Sequence, residues 1–286
     1  MTVDYKELKS SGFLKQVQDE RFSLRIKIVG GQVSAKQLNS INKLAKKFGS
    51  GYVHLTSRQS VEIPFIKQED IEQVREFLIQ EKLEPASTGP KVRTITACQG
   101  NAVCQSGLIN TSQLAKEFDE RYGGRPVPHK FKIGITGCRN NCLKAEENDI
   151  GVKGAMEPTW NGEGCTYCGL CQKVCPNNAI QVDCKAKSLA FDKVNCLSCG
   201  RCVKGCPRKS WDGESGFIVY FGGLYGNRIA IGKELLPVID SKDKLFTIIE
   251  TTLQFFDEHG KKGERFSTML ARLGWDALTE RLEQAI

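Results

Sequence analysis

Apolar positions change period several times along the chain. Residues 22–29, FSLRIKIV, alternate apolar and polar as a half-buried strand does, and the run stops at Gly30-Gly31. Ser34 then offers an N-cap to a helix with Leu38, Ile41, Leu44 and Ala45 on one face, ending near Gly49. Two more strands are expected at 52–56 and 61–66. A helix over 69–83 puts Ile71, Val74, Phe77 and Leu78 on one side. The order βαββα is that of a ferredoxin-like α+β unit, here expected over residues 1–85.

From residue 93 the pattern changes. Cys98 and Cys104 precede a helix expected at 111–121. A Gly-Gly-Arg-Pro break at 123–126 leads into a strand over 130–136, and Cys138 and Cys142 follow it. Residues 159–210 are poor in apolar periodicity and dense in cysteine, so they read as an inserted, loop-rich module. Residues 86–158 and 211–286 then form the second domain around it. After the insertion come a strand at 217–221, a turn at Gly222-Gly223 and a helix over 242–259 with Leu245, Ile248, Ile249, Leu253 and Phe256 as its stripe. A last helical stretch is expected at 266–285.

Thirteen cysteines in 286 residues change the picture. In a secreted chain they would suggest disulfides, but MTVDYKELKSSGF has no apolar signal core, and no apolar run approaches the ~18 residues a membrane helix needs. A cytoplasmic protein is expected, in which thiols stay reduced. Twelve of the cysteines fall at metal-ligand spacings. Cys184 alone stands outside and is read as structural.

Cys165, Cys168, Cys171 and Cys175, followed by Pro176, form C-x2-C-x2-C-x3-C-P, and Cys196, Cys199, Cys202 and Cys206, followed by Pro207, repeat it 31 residues on. Three closely spaced thiolates reach three corners of one 4Fe–4S cube, while the fourth of each run is carried to the other cluster. One cluster is therefore expected on Cys165, Cys168, Cys171 and Cys206, the other on Cys196, Cys199, Cys202 and Cys175. Structural zinc is the competing reading, but the doubled run with both prolines is particular to a bacterial two-cluster ferredoxin. Two adjacent clusters form a path for single electrons. Cys98-x5-Cys104 with Cys138-x3-Cys142 makes a third set, which spacing alone leaves open between zinc and another cluster.

Net charge is +8, from 41 Lys and Arg against 33 Asp and Glu. The basic residues are spread along the chain rather than gathered in a tail, so nucleic acid is the least supported partner. A polyanionic cofactor, an anionic substrate and an acidic electron donor suit the same balance. The three histidines, His54, His129 and His259, show no ligand spacing.

The third set, in TACQGNAVCQSG and GITGCRNNC, resembles the siroheme-dependent sulfite and nitrite reductases, with Arg139 standing where many members have proline. The resemblance runs from about residue 22 to 239 and is nearest to short dissimilatory-type and anaerobic sulfite reductase catalytic subunits with an inserted ferredoxin module. It implies a 4Fe–4S cluster on Cys98, Cys104, Cys138 and Cys142, with Cys142 bridging to siroheme iron and Asn140 and Asn141 beside it. It maps Arg58, Arg93, Lys130 and Lys132 onto the basic residues that hold substrate and siroheme carboxylates, and, more weakly, Gly222 and Gly223 onto a loop approaching siroheme. The pair Lys130-x-Lys132 resembles sulfite reductases, whereas ammonia-forming nitrite reductases tend to carry Lys-x-Asn. The implied reaction is six-electron reduction of sulfite to sulfide. Nitrite reduction with the same cofactors and an electron-transfer subunit without siroheme are the alternatives. Longer members contain two fused halves, one supplying the basic residues and one the cysteines. The implied assembly is thus a two-fold dimer or a heteromeric complex, fed by a ferredoxin- or flavin-type donor.

Overall fold

A computed structural model describes residues 4–286. Asp4 caps α1 (Tyr5–Ser10), and β1 (Phe13–Lys15) turns back antiparallel on β2 (Arg21–Ile26). This opening helix and strand have no counterpart among the expected elements, because three- and six-residue segments carry too little periodicity to register. β2 ends at Ile26, and a 3-10 turn at Val29–Gly31 replaces the end of the expected strand, Gly30 taking φ +60°.

α2 (Ala35–Phe48) begins at Ser34, whose hydroxyl accepts from Gln37 N while the Gln37 side chain accepts from Ser34 N, satisfying two otherwise orphaned donors. Ile41, Leu44 and Ala45 are buried as the stripe predicts, but Leu38 is exposed, because the covered face is narrower than the apolar one. β3 (His54–Leu55) is only two residues long. β4 (Val61–Lys67) and α3 (Ile71–Gln80) complete the unit, with sheet order β1-β2-β4-β3. Its core is Phe22, Leu24 and Ile26 against Ile41, Leu44, Ile63, Val74 and Leu78.

The second sheet is built from β5 (Thr96–Ala97), then α4 (Thr111–Tyr122), β6 (Ile133–Thr136) and β7 (Ile150–Met156). The chain next forms β8 (Thr159–Trp160), α5 (Leu170–Val174), β9 (Ile180–Asp183), β10 (Ser188–Phe191), α6 (Arg201–Gly205) and β11 (Trp211–Asp212). It returns through β12 (Ser215–Phe221), the small hairpin β13 (Leu224–Tyr225) and β14 (Ile229–Ala230), and β15 (Lys233–Glu234). β8 pairs with β11, so the cysteine-rich segment leaves and rejoins through one antiparallel stem. The five-stranded sheet has order β15-β12-β7-β6-β5. β5, β6 and β7 are parallel and β12 antiparallel.

Three helices cover this sheet: α7 (Lys242–His259), α8 (Phe266–Leu273) and α9 (Asp276–Glu283). Residues 266–285 are thus two helices rather than one, broken at Gly274, whose φ of +92° ends the first. Phe131, Phe256 and Phe266 meet with centroids 5.2–5.6 Å apart in the centre of the core. The tail thereby packs directly behind the segment that carries Lys130 and Lys132 into β6. Among the described residues no helix is long and apolar enough to cross a membrane.

Candidate functional site

β5 and β6 run parallel with Ala97 opposite Ile135, so Cys98 and Cys138 leave the same end of the sheet. Gly137 N donates to Cys98 Sγ at 3.0 Å. Burial pushes the Cys138 thiol up, and the nearby thiols of Cys104, Cys98 and Cys142 push it further. Gly154 lets this corner close: a Cβ there would stand 2.3 Å from the Gly137 carbonyl oxygen, and one on Gly137 would stand 2.9 Å from Gly100 Cα. Cys98 and Cys138 are thus backed by tightly apposed backbone, while Cys104 and Cys142 are exposed.

A buried charge network holds the Cys138–Cys142 loop. Lys153, a 4% exposed lysine in β7, pairs with Glu146, and the Asn141 amide donates to the same carboxylate. Arg139 donates to Tyr220 Oη at 3.1 Å, and Tyr220 in turn donates to Glu234. Arg139, the departure from the family's proline, therefore anchors the loop to β12 and β15. Asn141 takes φ +57°, and its Oδ1 accepts from Ala145 N at 2.8 Å. Asn140 accepts from Arg201 at 3.3 Å, linking the loop to α6.

The other eight thiols ring two small cavities. Cys165, Cys168 and Cys171 line one together with Cys206; Cys196, Cys199 and Cys202 line the other together with Cys175. Each fourth cysteine therefore lines the cavity of the opposite group. Backbone N–H groups point at the sulfurs, from Tyr167 to Cys165, Ala179 to Cys175, Ser198 to Cys196 and Ser210 to Cys206, at 3.2–3.4 Å. Burial raises Cys171 and Cys196 and pushes Cys202 up to about 12. Burial would raise Cys206 too, but the N–H groups of Ser210, Arg208 and Lys209 hold it below the ordinary value. Among the described residues no three His, Cys, Asp or Glu converge on a point as they would around a lone ion. Four thiols around a small cavity, most of them half-buried and approached by N–H donors, fit an iron–sulfur cubane, whose irons supply the charge that makes thiolates stable there. All thirteen cysteines are free. Cys184 lies exposed in the β9–β10 turn, outside every thiol group.

Arg58, Arg93, Lys130 and Lys132 line one cavity of about 210 Å³, with Arg25, Thr56, Ser57 and Ser60. Alternation through Phe131, fully buried, turns both lysines the same way although regular strand begins only at Ile133. Arg58 donates to Asn148 Oδ1 and the Thr94 carbonyl, both at 3.0 Å. Arg93 donates to the Ser87 carbonyl at 2.9 Å, and its buried Nε has no partner among the described residues. Among those residues none of the four cations is neutralised by a direct ion pair with a carboxylate. Burial first, and for Arg93 the neighbouring Arg25 and Arg265 next, lowers the guanidinium pKa of both arginines to about 10. Lys130 and Lys132 are lowered by burial and then by the surrounding arginines.

Sequence reasoning missed the supports of this cavity. Asp149, fully buried, accepts from Lys132 N at 2.8 Å and takes both its oxygens to Arg265 at 2.9–3.0 Å. Arg265 stands at the start of α8, more than a hundred residues away, so only the folded chain reveals the pair. Gln59 makes two hydrogen bonds to the backbone of Ala97, at 2.8 and 2.9 Å, tying Arg58 to the strand that leads to Cys98. His129 borders Lys130 and is lowered by burial and then by Arg265 and Lys130. His54 lies on the exposed β3, and His259 ends α7. Gly222 and Gly223 line neither the basic cavity nor a thiol cavity. A Cβ on Gly223 would stand 2.1 Å from the Glu146 carbonyl oxygen, and one on Gly222 would meet Trp275.

Cations facing one another without a direct carboxylate partner should be stabilised by an added oxyanion. We expect sulfite or sulfate to raise the melting temperature near pH 7, and the increase to vanish in Lys130→Ala with Lys132→Ala. The sign with pH follows from the lowered values. Anion binding is full while the lysines and arginines are charged. It is lost as pH rises through their folded-state pKa values, which lie at about 10 for the arginines and below the ordinary 10.5 for the lysines. A melting temperature indifferent to the anion would remove the cavity from consideration.

The family model for the nitrite and sulphite reductase 4Fe-4S domain matches residues 88–286, and that for the nitrite/sulfite reductase ferredoxin-like half domain matches 14–80. The chain belongs to the nitrite and sulfite reductase family. It is 32% identical to a coenzyme F420-dependent sulfite reductase of Methanocaldococcus jannaschii over 99% of its own length and 44% of the relative's. It is also 32% identical to a subunit of the anaerobic sulfite reductase of Salmonella typhimurium, over 58% of this chain and 53% of that one. The chain thus spans about half the length of these curated relatives. In fold it is similar to a crystal structure of dissimilatory sulfite reductase I, with a TM-score of 0.75 and 20% identity over 93% of this chain and 71% of that one. A mixed α/β architecture with a ferredoxin-like half is the fold of this family.

Proposed function

We propose that this chain is the catalytic subunit of a sulfite reductase that holds siroheme and three 4Fe–4S clusters and works in the cytoplasm. The observation that carries the reading is the convergence of Arg58, Arg93, Lys130 and Lys132 on one cavity. Such a cavity suits a small dianion and the carboxylates of a tetrapyrrole. When bound, siroheme and its adjoining cluster supply the electrons that take sulfur from +4 to −2. The chain's own work is to bind the anion between guanidinium groups, to polarise its oxygens and to deliver protons from Lys130 and Lys132. Lowered lysine pKa values suit that delivery, because a less basic ammonium gives up its proton more readily. Sulfite rather than nitrite is proposed because the Lys130-x-Lys132 pair resembles that of sulfite reductases.

The domain division proposed is residues 1–85, then 86–158 with 211–286, and 159–210 as the inserted ferredoxin module. A two-fold assembly is proposed for a geometric reason. Lys132 precedes β6 and Cys138 follows it, so six residues of extended chain hold them roughly 15–20 Å apart. The basic cavity and the Cys142 set of one chain therefore lie at opposite ends of the same strand, and a complete site takes one from each of two chains.

The test is an anaerobic visible spectrum of the purified protein, followed by acid–acetone extraction. Tetrapyrrole bands that shift when sulfite meets the reduced protein are the expected result. Iron–sulfur absorption alone, in protein made where siroheme is available, would leave an electron-transfer subunit.

A further inference from the structure

Residues 159–210 hold eight Lys and Arg against three Asp and Glu, a net +5 out of the +8 of the whole chain. All eight cations are exposed, and among the described residues none of them forms an ion pair. With a 4Fe–4S cluster on each set of four thiolates bringing about −2 apiece, the module as a whole would come near neutral, so it is the placement of the exposed cations that shows where an anionic surface would be met.

The β9–β10 hairpin shows where that surface docks. Its register pairs Ile180 with Phe191 and Val182 with Leu189. Ile180 and Phe191 line the cavity of Cys175, Cys196, Cys199 and Cys202; Val182 and Leu189 line that of Cys165, Cys168, Cys171 and Cys206. The hairpin therefore runs along both thiol groups and ends beyond the second, with Lys185 and Lys187 in its turn. Arg208 lines the same cavity and Lys209 follows it, while Cys168, Leu170 and Pro207 are exposed between them. Of the carboxylates at this end, Asp183 is engaged by the N–H groups of Lys185 and Ala186, and Glu163 is exposed. The opposite group faces inward: Cys175 and Cys199 share a cleft with Cys138, one of the four thiols of the Cys142 set.

We propose that an acidic one-electron carrier protein docks over the Cys165–Cys168–Cys171–Cys206 end, with Leu170 and Pro207 as its apolar centre and Lys185, Lys187, Arg208 and Lys209 as its basic rim. Each docking oxidises the reduced carrier by one electron and reduces this cluster by one. The electron then passes through the Cys175–Cys196–Cys199–Cys202 group toward Cys138. This rests on the cluster assignment made above.

The experiment is calorimetric titration of anaerobic holoprotein with a purified acidic 2[4Fe–4S] ferredoxin, at low and at moderate salt. Lys185→Glu with Lys187→Glu should weaken binding tenfold or more, and salt should weaken it in the native protein. Arg208→Gln with Lys209→Gln should act the same way, so the result does not hang on one hairpin. Lys36→Glu with Lys46→Glu, two exposed residues of α2 in the ferredoxin-like half, should leave affinity within a factor of two. Protein whose iron, sulfide and spectrum show all clusters but whose affinity ignores the first two pairs, or responds equally to the third, overturns the docking site. A native protein without ferredoxin-type clusters overturns the cluster assignment itself.

Discussion

Cys206→Ser should remove the cluster built on Cys165, Cys168 and Cys171 while sparing the one built on Cys196, Cys199 and Cys202, the cysteines nearest it in sequence. Cys206 lines the first cavity and not the second. Iron analysis should then show a loss of about four of about twelve irons. Cys175→Ser should give the same loss from the other cavity. The two variants differ in what survives. With Cys206→Ser, the group that shares a cleft with Cys138 remains. Slow reduction of the Cys142 set by a small artificial donor is then retained. With Cys175→Ser, the inner group is lost and reduction of the Cys142 set should stop. Electron paramagnetic resonance of the dithionite-reduced variants distinguishes the patterns, and equal loss from both groups in Cys206→Ser would contradict the crossed ligation.

Asp149→Asn should be the most damaging single change outside the cysteines. Asp149 is fully buried and is the carboxylate that pairs with Arg265 in a region also holding Arg58, Arg93, Lys130 and Lys132. Removing one partner of a buried ion pair costs about 3–5 kcal/mol, because the remaining charge keeps its desolvation penalty without compensation. Here the remaining charge also faces other cations. Urea unfolding should show that loss, and sulfate should restore part of it by occupying the adjoining cavity. Arg265→Met with Asp149→Asn removes both charges and should be less destabilising than Asp149→Asn alone. A single variant as stable as the native protein would show that the carboxylate is dispensable.

The parts of this molecule legible in sequence are those whose chemistry is local. The doubled cysteine motif predicts two groups and their crossed fourth members, because two-residue gaps and a following proline leave few ways to arrange thiolates. Ser34, Gln37 and the stripe of Ile41, Leu44 and Ala45 define α2 almost to the residue, since a capping box and a 3.6-residue period are both short-range. Legibility fails where a partner is remote. Nothing near Asp149 announces Arg265, and nothing near the Cys138–Cys142 loop announces Lys153 or Tyr220. Leu38 shows the opposite failure, an apolar residue in the right phase that the fold leaves uncovered. The four basic residues are an intermediate case. Each is an ordinary charge in its own segment, and a resemblance was needed to group them before the folded chain brought them to one cavity.

The uneven shielding of the Cys98–Cys142 set has a practical side. Close-packed backbone backs the half-buried Cys98 and Cys138, so the most open approach for dioxygen to a cluster there runs past the exposed Cys104 and Cys142. Whatever covers those two sulfurs in the cell is also the oxygen barrier of the site. The half-life of the cluster in air thereby becomes a direct gauge of how completely the protein has been assembled.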